Sequence, residues 1–578
     1  MTPRALVRLL GGYAAFLVLL CIGVRAWFAL SKPSEEIVVE SWWQDGKRIG
    51  RRLLANDSPP MVAPPLSASV SKEAIVGEAP LFLHPLVFAM ALVPGKDGVK
   101  AEIDGKIAYA TVDDLLARQA YDRGHVWVQA SFGWGVDRAI VLHVLSEELG
   151  VHASDLASRG RFRRVRFERR SSRGPAVPPR VSQLPQERSA PPPAPMQAWP
   201  ERITEANLTR ELVLDGVREA AMHLAHSVDD DGRFRYLVDA PKNQTLPGYN
   251  WPRHSGATFF LAQAAFVLDD PFVRYACLRA ASQLRDRMMR ACGPHRCVSE
   301  KGEIAEIGSS ALALIAFTEI VRTGADGAYR PAIEELASFL RSQQREDGEF
   351  QHEYDRVKQA PIDVQYLYFS GEATLALGRT HRITGDARDL DAARRGLTRL
   401  SGRGWSFFGS RYYFGEEHWT CQAVSELWDR VPDFEALSFC SRWHEYQRRL
   451  QLDADETPFD ADGAFGLGPL VSPRVTPASS RGEAAGALLD VLVRERKAGH
   501  DERNAELLLV KREFERALAF VMRHQLHPGP THLFADPVAV RGAIPGSPVD
   551  WHLRIDYAQH AGSMMVRWLE MHALTASK

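Results

Sequence analysis

The chain has 578 residues, a length that accommodates two or three domains. Hydrophobic residues make up 45% and charged residues 25%, the composition of an ordinary globular protein. The formal net charge of −1 argues against a nucleic-acid partner. One of the six cysteines, Cys21, lies in an apolar N-terminal run and leaves an odd number, so the pattern does not indicate a disulfide framework.

The N-terminal residues 1–32 predict a transmembrane anchor. Arg4 and Arg8 precede an apolar run from 9 to 24, and after Arg25 the run resumes, which gives about 22 apolar residues, enough to cross a bilayer. A cleaved signal peptide is the alternative, but no clean small-x-small cleavage site follows the run. The sequence therefore favours an uncleaved single-pass helix in the cytoplasmic (inner) membrane.

The orientation of this helix is less strongly encoded. Arg4 and Arg8 on one side are balanced by Arg25 and Lys32 on the other, and only the α-amino group tips the balance toward a cytoplasmic N-terminus. We then expect the bulk of the chain to face the periplasm or the outside.

Residues 33–172 mix strand and helix signals and predict a small α+β domain without a catalytic constellation. Its predicted elements, in chain order, are a strand in EEIVVESWW, a turn at Asp45-Gly46, a strand over 81–93, a hairpin through Asp104-Gly105, a helix capped by Thr111, a helix over 136–149 and an exposed strand in RFRRVRFERR. Residues 173–200 contain nine prolines and predict a semi-rigid linker.

From 201 to 578 helical periodicity dominates, and a short motif repeats. Asp-Gly-x-Phe occurs at Asp231, Asp347 and Asp462, with spacings of 347 − 231 = 116 and 462 − 347 = 115. Glycine after Asp suits the tight turn at a helix end. Each copy is followed by a helix rich in small residues, which begins near a further glycine; these are Gly256, Gly371 and Gly482.

A second, weaker series lies between these helices, in GSSALALIAF, HWTCQAVSELW and YAQHAGSMMVRW. Each repeat of about 115 residues thus holds two helical hairpins, and three repeats make six. One hairpin cannot bury its apolar face alone, whereas a ring of six can. The sequence therefore predicts a mostly α chain whose 201–578 part is an (α/α)6 toroid.

The segments RHSGA and YFSGEA resemble inner-helix starts in the six-hairpin glycosidase-like superfamily, over roughly 205–575. The resemblance implies carbohydrate chemistry, since the superfamily holds glycoside hydrolases and related toroids hold sugar epimerases and uronate lyases. Fold alone does not decide function. Two other toroid families fit less well: the Asp-x-Asp-Asp motif of terpene cyclases is absent, and Cys421 lacks the Cys-His neighbour of lanthionine-cyclase-like zinc sites.

Polar residues at the starts of the inner helices are the candidate site, because these starts should meet around one end of the central cavity. Two carboxyl groups are the usual acid/base pair for glycoside chemistry, and a histidine is a possible base for a uronate. The candidate catalytic residues are Glu372, Glu483, Glu417, His254, His418 and Asp556. The candidate substrate-binding residues are Arg253, Tyr249, Trp251, Tyr368, Trp419, Arg481 and His560.

Each candidate also has an ordinary structural explanation. A glutamate at a helix start often only complements the helix dipole, a lone histidine is usually a hydrogen-bonded core residue, and aromatic rings suit a helical core as well as a sugar face. Cys292 and Cys297 are close enough to bridge, and a zinc site there needs more ligands than His295. The sequence predicts no cofactor and no metal.

Two functions follow. The first is a membrane-anchored, extracytoplasmic protein that hydrolyses or otherwise modifies a glycan, with a polysaccharide or oligosaccharide as its partner. The second is a non-catalytic toroid that binds a glycan or a protein partner within an envelope assembly. The absence of a complete catalytic signature favours the second, and the ionisable residues at the repeated helix starts favour the first.

Overall fold

The computed structural model describes residues 29–33, 35–54, 64–126, 132–173, 202–300, 302–406, 409–412, 418–454, 461–466, 473–526 and 531–576. The apolar run 9–24, the linker from 174 to 200 and Glu417 lie outside these residues. Within them, no helix is long and apolar enough to span a membrane. The described residues form two packing units, one of residues up to 126 with 132–173 and 531–536, the other of 202–526 and 537–576.

The helices are numbered in chain order. They are α1 Pro85–Ala91, α2 Val112–Ala117, α3 Arg138–Leu149, α4 Ala153–Arg159, α5 Arg210–His226, α6 Trp251–Leu268, α7 Pro271–Ser282, α8 Ile307–Arg322, α9 Arg330–Ser342, α10 Phe369–Thr384, α11 Ala387–Ser401, α12 Trp419–Leu427, α13 Phe434–Arg448, α14 Val475–Lys497, α15 Asn504–His524, α16 Pro537–Val540 and α17 Ile555–Ala576.

The strands are numbered in the same way. They are β1 Val38–Gln44, β2 Lys47–Leu54, β3 Ser69–Pro80, β4 Asp97–Ile103, β5 Lys106–Ala110, β6 Tyr121–Val126, β7 Phe132–Val136, β8 Arg161–Arg173, β9 Leu237–Asp239, β10 Gln244–Thr245, β11 Met289–Cys292, β12 His295–Val298, β13 Ile304–Glu306, β14 Glu353–Asp355, β15 Ala360–Ile362 and β16 His552–Arg554.

The first unit is built on an antiparallel sheet with the strand order β2-β1-β3-β8-β4-β5. Asp45-Gly46 and Asp104-Gly105 make the two tight turns with positive φ at both residues, as the Asp-Gly dipeptides predict. Thr111 and Asp114 form the capping box that starts α2. The mixture of strands and helices agrees with the α+β prediction for this part of the chain.

Two predicted strands of this unit differ from the structure. Residues 81–93 hold α1 rather than a strand, because Pro85 occupies the first turn, where a missing N–H costs nothing. The strand in RFRRVRFERR is not an exposed one: β8 lies between β3 and β4, and it buries Val165 and Phe167. Its arginines form ion pairs along the sheet, such as Arg166 with Asp97, and this pairing lets a charged strand lie inside a sheet.

Residues 531–536 complete the polar interior of this unit. His532 donates a hydrogen bond of 2.8 Å to Asp113, and its ring lies 5.5 Å from that of Trp43. Arg169 forms an ion pair with the same carboxylate, and these partners hold the pKa of Asp113 well below its usual range against the effect of burial. Burial and the nearby Asp113 raise the pKa of Glu73 to about 8.

The second unit is a closed double ring of helices. In the inner ring α6 packs on α8, α8 on α10, α10 on α12, α12 on α14, α14 on α17, and α17 closes on α6. The helices α5, α7, α9, α11, α13 and α15 pack outside it, and one continuous hydrophobic core joins the two rings. The six inner and six outer helices confirm the predicted (α/α)6 toroid.

The repeated Asp-Gly-x-Phe motif has a structural role in this ring. Gly348 has a φ of +87°, and a side chain there would place its Cβ 2.5 Å from the carbonyl oxygen of Arg395 on α11. Gly232 and Gly463 adopt the same conformation against α7 and α15. The motif therefore ends an outer helix and locks the following loop onto the next outer helix.

A fourth loop of this kind closes the ring without the sequence motif. Gly542 has a φ of +77° and lies against the carbonyl of Glu219 on α5. Gln525 donates to the carbonyl oxygens of Gly216 and Gly542, just as Gln451 donates to those of Gly463 and Glu513. The last outer helix is thereby fastened to the first.

The C-terminal halves of the inner helices are joined by buried charges. Glu319 on α8 forms ion pairs with Arg322 and with Arg379 on α10. Asp490 on α14 accepts from Ser425 on α12 and pairs with Arg494. Because these groups satisfy each other, they fix the inner helices at the end opposite the one where the helices begin.

Two disulfide bonds join described cysteines, and Cys277 is free and buried. Cys292–Cys297 closes the β11–β12 hairpin, in agreement with their close spacing. Cys421–Cys440 ties the inner helix α12 to the outer helix α13, and the sequence pattern did not reveal this pair. The expectation that the cysteines lack a disulfide framework was therefore wrong in part.

Candidate active site

The inner helices bring their first turns together at one end of the toroid, called here the N-terminal mouth. Arg253 on α6 reaches Asp556 on α17 at 3.2 Å, and Gly256 faces Gln559, also on α17. Gly308 on α8 faces Glu372 on α10, since a Cβ at Gly308 would lie 2.9 Å from Glu372 Oε2. The glycines and small residues of the repeats make this approach possible.

Three candidate residues from three different inner helices meet at this mouth. His560 Nδ1 lies 2.7 Å from Glu483 Oε2, and His418 Nε2 lies 3.6 Å from the same oxygen. The two imidazole rings lie edge to face with centroids 5.1 Å apart. His418 immediately precedes α12, Glu483 lies on α14 and His560 lies on α17. Because α14 packs between α12 and α17 in the inner ring, the Glu483 carboxyl lies between the two imidazoles.

Glu483 is buried, and its environment favours the neutral carboxyl. Burial raises the pKa of Glu483 to about 8, although His418 and Arg567 act to lower it. Oε1 has no hydrogen-bond partner among the described residues. A carboxyl group with this pKa holds a proton at neutral pH and can exchange it with His560 across the 2.7 Å contact.

Trp419 covers this triad of His418, Glu483 and His560. Its ring centroid lies 4.5 Å from that of His418 and 6.1 Å from that of His560. Gln559 Nε2 lies 3.3 Å from His560 Nδ1, the nitrogen that also contacts Glu483. The indole and the amide restrict the orientations that the two imidazoles can adopt.

The same three side chains could also hold a metal, since their ligand atoms lie within 4.8 Å of one another. Two imidazoles and a carboxylate are a known catalytic zinc set. Ligand atoms about 2.0–2.1 Å from one tetrahedral ion are about 3.3 Å apart, whereas His560 Nδ1 and Glu483 Oε2 are 2.7 Å apart. The observed spacing is that of a hydrogen bond, and metal binding requires the two side chains to separate.

Asp556 is held as a carboxylate by arginines. Arg554 donates two hydrogen bonds to it, at 2.6 and 2.8 Å, and Arg253 donates a third at 3.2 Å. These guanidinium groups hold the pKa of Asp556 well below its usual range despite burial. Asp556 fixes Arg253, which also donates to Tyr236 at 3.0 Å, and its geometry favours positioning over proton transfer.

His254 is a buried core histidine with both ring nitrogens engaged. Nε2–H donates to the carbonyl of Ala280 at 2.9 Å, and Nδ1 accepts from the hydroxyl of Tyr249 at 2.7 Å. Burial lowers the pKa of His254 to about 4. Tyr249 in turn accepts from the backbone N–H of Phe234, so this chain of bonds secures the first Asp-Gly-x-Phe loop.

A group of carboxyls lies on the α8 and α10 side of the mouth. Glu306 precedes α8 and stands opposite Glu353 in the β13–β14 pair. Burial and Glu353 raise the pKa of Glu306, whereas Arg253 acts to lower it. The hydroxyl of Tyr366 donates to Glu353 at 2.6 Å, and this bond raises the pKa of Tyr366 to about 12. Glu372 is buried in the first turn of α10.

The remaining candidates have different surroundings. Arg481 donates from Nε to Gln447 on the outer helix α13 at 2.7 Å and lies over the Phe465 ring, so it supports the third loop. Tyr368 packs partly buried beside Leu367 and Trp405. Trp251 lines a cavity at the start of α6. Glu417 lies outside the described residues.

Sequence reasoning placed His418, Glu483 and His560 among its candidates but did not connect them. It missed Glu353, which lies in the stretch HEYD at residues 352–355. Glu353 could have been predicted from its position, because HEYD closely follows the second Asp-Gly-x-Phe motif and the chain runs from that motif toward the mouth. It also missed Arg554, the principal partner of Asp556.

No protein-family model matches the chain. No curated protein matches its sequence. Solved structures with similarity include a D-mannose isomerase, at 12% identity with a TM-score of 0.45, covering 64% of this chain and 100% of that one. A cellobiose 2-epimerase from Bacillus thermoamylovorans has 10% identity and a TM-score of 0.47, covering 62% and 98%.

A third structure is an inactive variant of an alpha-1,6-mannanase from Salegentibacter in complex with alpha-1,6-mannotriose. It has 12% identity and a TM-score of 0.43, covering 62% of this chain and 99% of that one. The activities are those of the named proteins. The toroid of the present chain is established by its own ring of helices.

Proposed function

We propose that the toroid is a carbohydrate-modifying enzyme whose acid/base groups are Glu483, His418 and His560. The observation that carries the proposal is the buried Glu483 carboxyl, whose Oε2 lies 2.7 Å from His560 and 3.6 Å from His418. A neutral carboxyl between two imidazoles is able both to give and to receive a proton near neutral pH.

The triad works as a proton relay in this proposal. One imidazole removes a proton from the substrate, and Glu483 transfers its own proton to the other imidazole, which gives a proton to the substrate. The first imidazole then passes the proton that it removed to the Glu483 carboxylate, and this restores the starting state. Glu483 and His418 are buried and the His560 side chain is 12% exposed, so little solvent competes for the proton, and Trp419 keeps the imidazoles in place. A saccharide substrate is supported by the inner-helix motifs and by the polar and aromatic groups around the mouth.

Two reaction types use such a site. Proton transfer at a carbon atom gives epimerisation, isomerisation or elimination, and it needs two proton-transfer groups, which the imidazoles provide. Hydrolysis of a glycosidic bond needs a protonated acid and a second carboxyl, roles for which Glu483 and Glu372 are available. The presence of two imidazoles on one carboxyl favours proton transfer at carbon.

The decisive experiment incubates the protein with neutral and acidic oligosaccharides in D2O. Proton NMR detects exchange of a carbon-bound hydrogen, and a reducing-end assay detects hydrolysis. We expect one of these signals from the unaltered chain and its loss, by roughly a hundredfold or more, in Glu483→Gln and in His560→Gln. Neither signal from any saccharide, together with measurable binding, would favour a non-catalytic glycan-binding toroid.

A matched control is available elsewhere in the toroid. Glu513 on the outer helix α15 is also a buried carboxylate, paired with His444 at 2.5 Å and with Arg448 at 3.4 Å. It lies away from the inner-helix starts. Glu513→Gln therefore changes a buried glutamate–histidine pair and should leave turnover within a factor of two to three, an order-of-magnitude expectation.

We further propose that the chain is anchored in the cytoplasmic membrane by residues 1–32 and acts outside the cytoplasm. The apolar run of the sequence supports the anchor. The Cys292–Cys297 and Cys421–Cys440 bonds support an oxidising compartment, since disulfides are rare in the cytosol. Membrane fractionation with protease treatment of spheroplasts tests both points; a chain that is protected from protease and has reduced cysteines would contradict the location.

A further inference from the structure

A cavity of about 810 Å³ opens at the start of α6, beside the mouth. Trp251, the first residue of α6, lines it together with three arginines and three acidic residues; these are Arg233, Arg287, Arg290, Asp231, Asp286 and Glu300. This volume falls in the range of about 300–1,000 Å³ that is typical of ligand sites. None of these residues belongs to the triad of His418, Glu483 and His560.

The charged lining of this cavity consists of three arginines and three acidic residues. Arg233, Arg287 and Arg290 form no ion pair with any described residue, whereas Asp286 is engaged by two hydrogen bonds from Arg285, at 2.7 and 3.0 Å. The other two acidic lining residues, Asp231 and Glu300, also form no ion pair in the described part of the chain. The cavity therefore has more free positive charge than free negative charge.

Two buried donors at this wall also lack an acceptor. Trp251 is only 7% exposed, and its Nε1–H has no hydrogen-bond partner among the described residues. The Nε–H of Arg290 likewise has no hydrogen-bond partner among the described residues. Buried donors are normally paired, because an unpaired one has lost its water without compensation. An acceptor brought by a ligand would satisfy them.

At the cavity wall, aromatic rings rather than an acidic side chain hold Arg233 in place. Its guanidinium lies over the rings of Tyr249 and Trp251, at 4.3 and 5.4 Å from their centroids. An arginine held by such contacts can turn toward an anion, for which it has a stronger attraction than for a ring.

We infer that this cavity binds an acidic sugar residue of the glycan, through the guanidinium groups of Arg233, Arg287 and Arg290 and the indole N–H of Trp251. The inference rests on the proposed function and deepens it by naming the substrate class. The acidic group is a uronic acid carboxylate or a sulfate ester, since both are anions with several acceptor oxygens.

The test is isothermal titration calorimetry of the full-length chain with three probes: an oligogalacturonate, a sulfated oligosaccharide and a neutral cello-oligosaccharide of similar length. We expect one acidic probe to bind at least roughly tenfold more tightly than the neutral one, and more weakly as salt is raised. The acidic probe that binds identifies the carboxylate or the sulfate as the recognised group.

Variants locate the binding. Trp251→Phe removes the N–H but keeps an aromatic ring, and Arg287→Gln and Arg290→Gln each remove one charge; we expect each to weaken acidic-probe binding roughly tenfold. Arg274→Gln, which removes an arginine of α7 that is paired with Asp269, is the control and should bind like the unaltered chain. Equal binding of acidic and neutral probes, no binding of either acidic probe, or binding unchanged in all three cavity variants would overturn the inference.

The same experiment separates this inference from the proposed function. Glu483→Gln leaves the cavity intact, so it should bind the acidic probe normally and show no turnover. If the unaltered chain binds the acidic probe through the cavity but turns over no saccharide, the inference stands and the catalytic proposal fails. If turnover requires Glu483 but the cavity variants bind and react normally, the catalytic proposal stands and the inference fails.

Discussion

His560 Nδ1 and Glu483 Oε2 lie 2.7 Å apart, and they come from two different inner helices of the toroid. The contact is close because α14 and α17 begin at the same end of the ring and small residues, among them Gly482, let the helices approach. A carboxyl buried in this way has little water around it, and one hydrogen bond to an imidazole compensates only in part for the lost hydration. Burial therefore disfavours the ionised form of Glu483, and His560 beside it is able to accept the proton.

The raised pKa of Glu483 predicts a pH dependence of stability. Between its ordinary value of 4.5 and its folded value of about 8, the folded chain holds a proton that the unfolded chain has lost, so this contribution to stability is present below pH 4.5 and declines as the pH rises toward 8. The decline is at most about 1.4 kcal/mol per pH unit. Glu483→Gln cannot ionise, so its free energy of unfolding should fall less steeply over this range.

Urea unfolding at several pH values between 5 and 8 measures this difference. The unaltered chain and Glu483→Gln should diverge as the pH rises, with the variant becoming relatively more stable. Glu513→Gln provides the comparison, since it makes the same substitution at another buried glutamate that contacts a histidine. Parallel curves for the unaltered chain and Glu483→Gln would show that Glu483 is ionised throughout.

The loop glycines predict a backbone effect that can be separated from a packing effect. Gly348→Ala places a methyl group 2.5 Å from the carbonyl oxygen of Arg395 and also strains a φ of +87°. Gly324→Ala strains a φ of +72° but meets nothing within 4 Å. We expect about 1–2 kcal/mol of destabilisation for Gly324→Ala and a further 1–3 kcal/mol for Gly348→Ala.

Thermal or urea unfolding of the two alanine variants checks this prediction. The difference between them isolates the contact between the second Asp-Gly-x-Phe loop and α11, because both carry similar backbone strain. Equal losses of stability would mean that the loop can move away from α11 at little cost, and the proposed fastening of outer helices by these loops would then be wrong.

The toroid was predictable because its information is local and repeated. Three copies of Asp-Gly-x-Phe, each followed by a helix rich in small residues, reveal the period, and the period implies a ring. The fourth fastening loop, at Gly542, was not predictable from the motif, since only the backbone conformation and the bond from Gln525 repeat there. The strand at 161–170 was misjudged because ion pairs across the sheet, rather than solvent, satisfy its arginines.

The site was predictable as a set of residues but not as an arrangement. Topology places the inner-helix starts at one mouth, and this alone selects His418, Glu483 and His560. It does not say that they touch, because contact depends on the stagger of each helix along the ring axis. The same reasoning selected His254, whose partners Ala280 and Tyr249 come from a neighbouring outer helix and a loop, which repeats do not encode.

The bonds around His254 predict a structural role for Tyr249. Its hydroxyl accepts from Phe234 N–H at 3.1 Å and donates to His254 Nδ1 at 2.7 Å. Tyr249→Phe leaves two buried groups without a partner, so we expect a loss of about 1–3 kcal/mol in the free energy of unfolding. Turnover measured below the melting temperature should remain close to normal. A large fall in turnover without a fall in stability would instead give Tyr249 a role in the reaction.

The Cys421–Cys440 bond predicts that reduction weakens the part of the ring that carries His418. The bond closes a loop across a sequence separation of 19 residues, and the chain-entropy model gives about 3 kcal/mol for such a loop against about 2 kcal/mol for the 5-residue separation of Cys292–Cys297. Cys421 lies one helical turn after His418, so we expect Cys421→Ala/Cys440→Ala to lose both stability and turnover.

Urea unfolding and activity assays of this double variant, with Cys292→Ala/Cys297→Ala and Cys277→Ala as comparisons, measure the effect. Unchanged unfolding after removal of Cys421–Cys440 would show that helix packing alone holds α12 on α13.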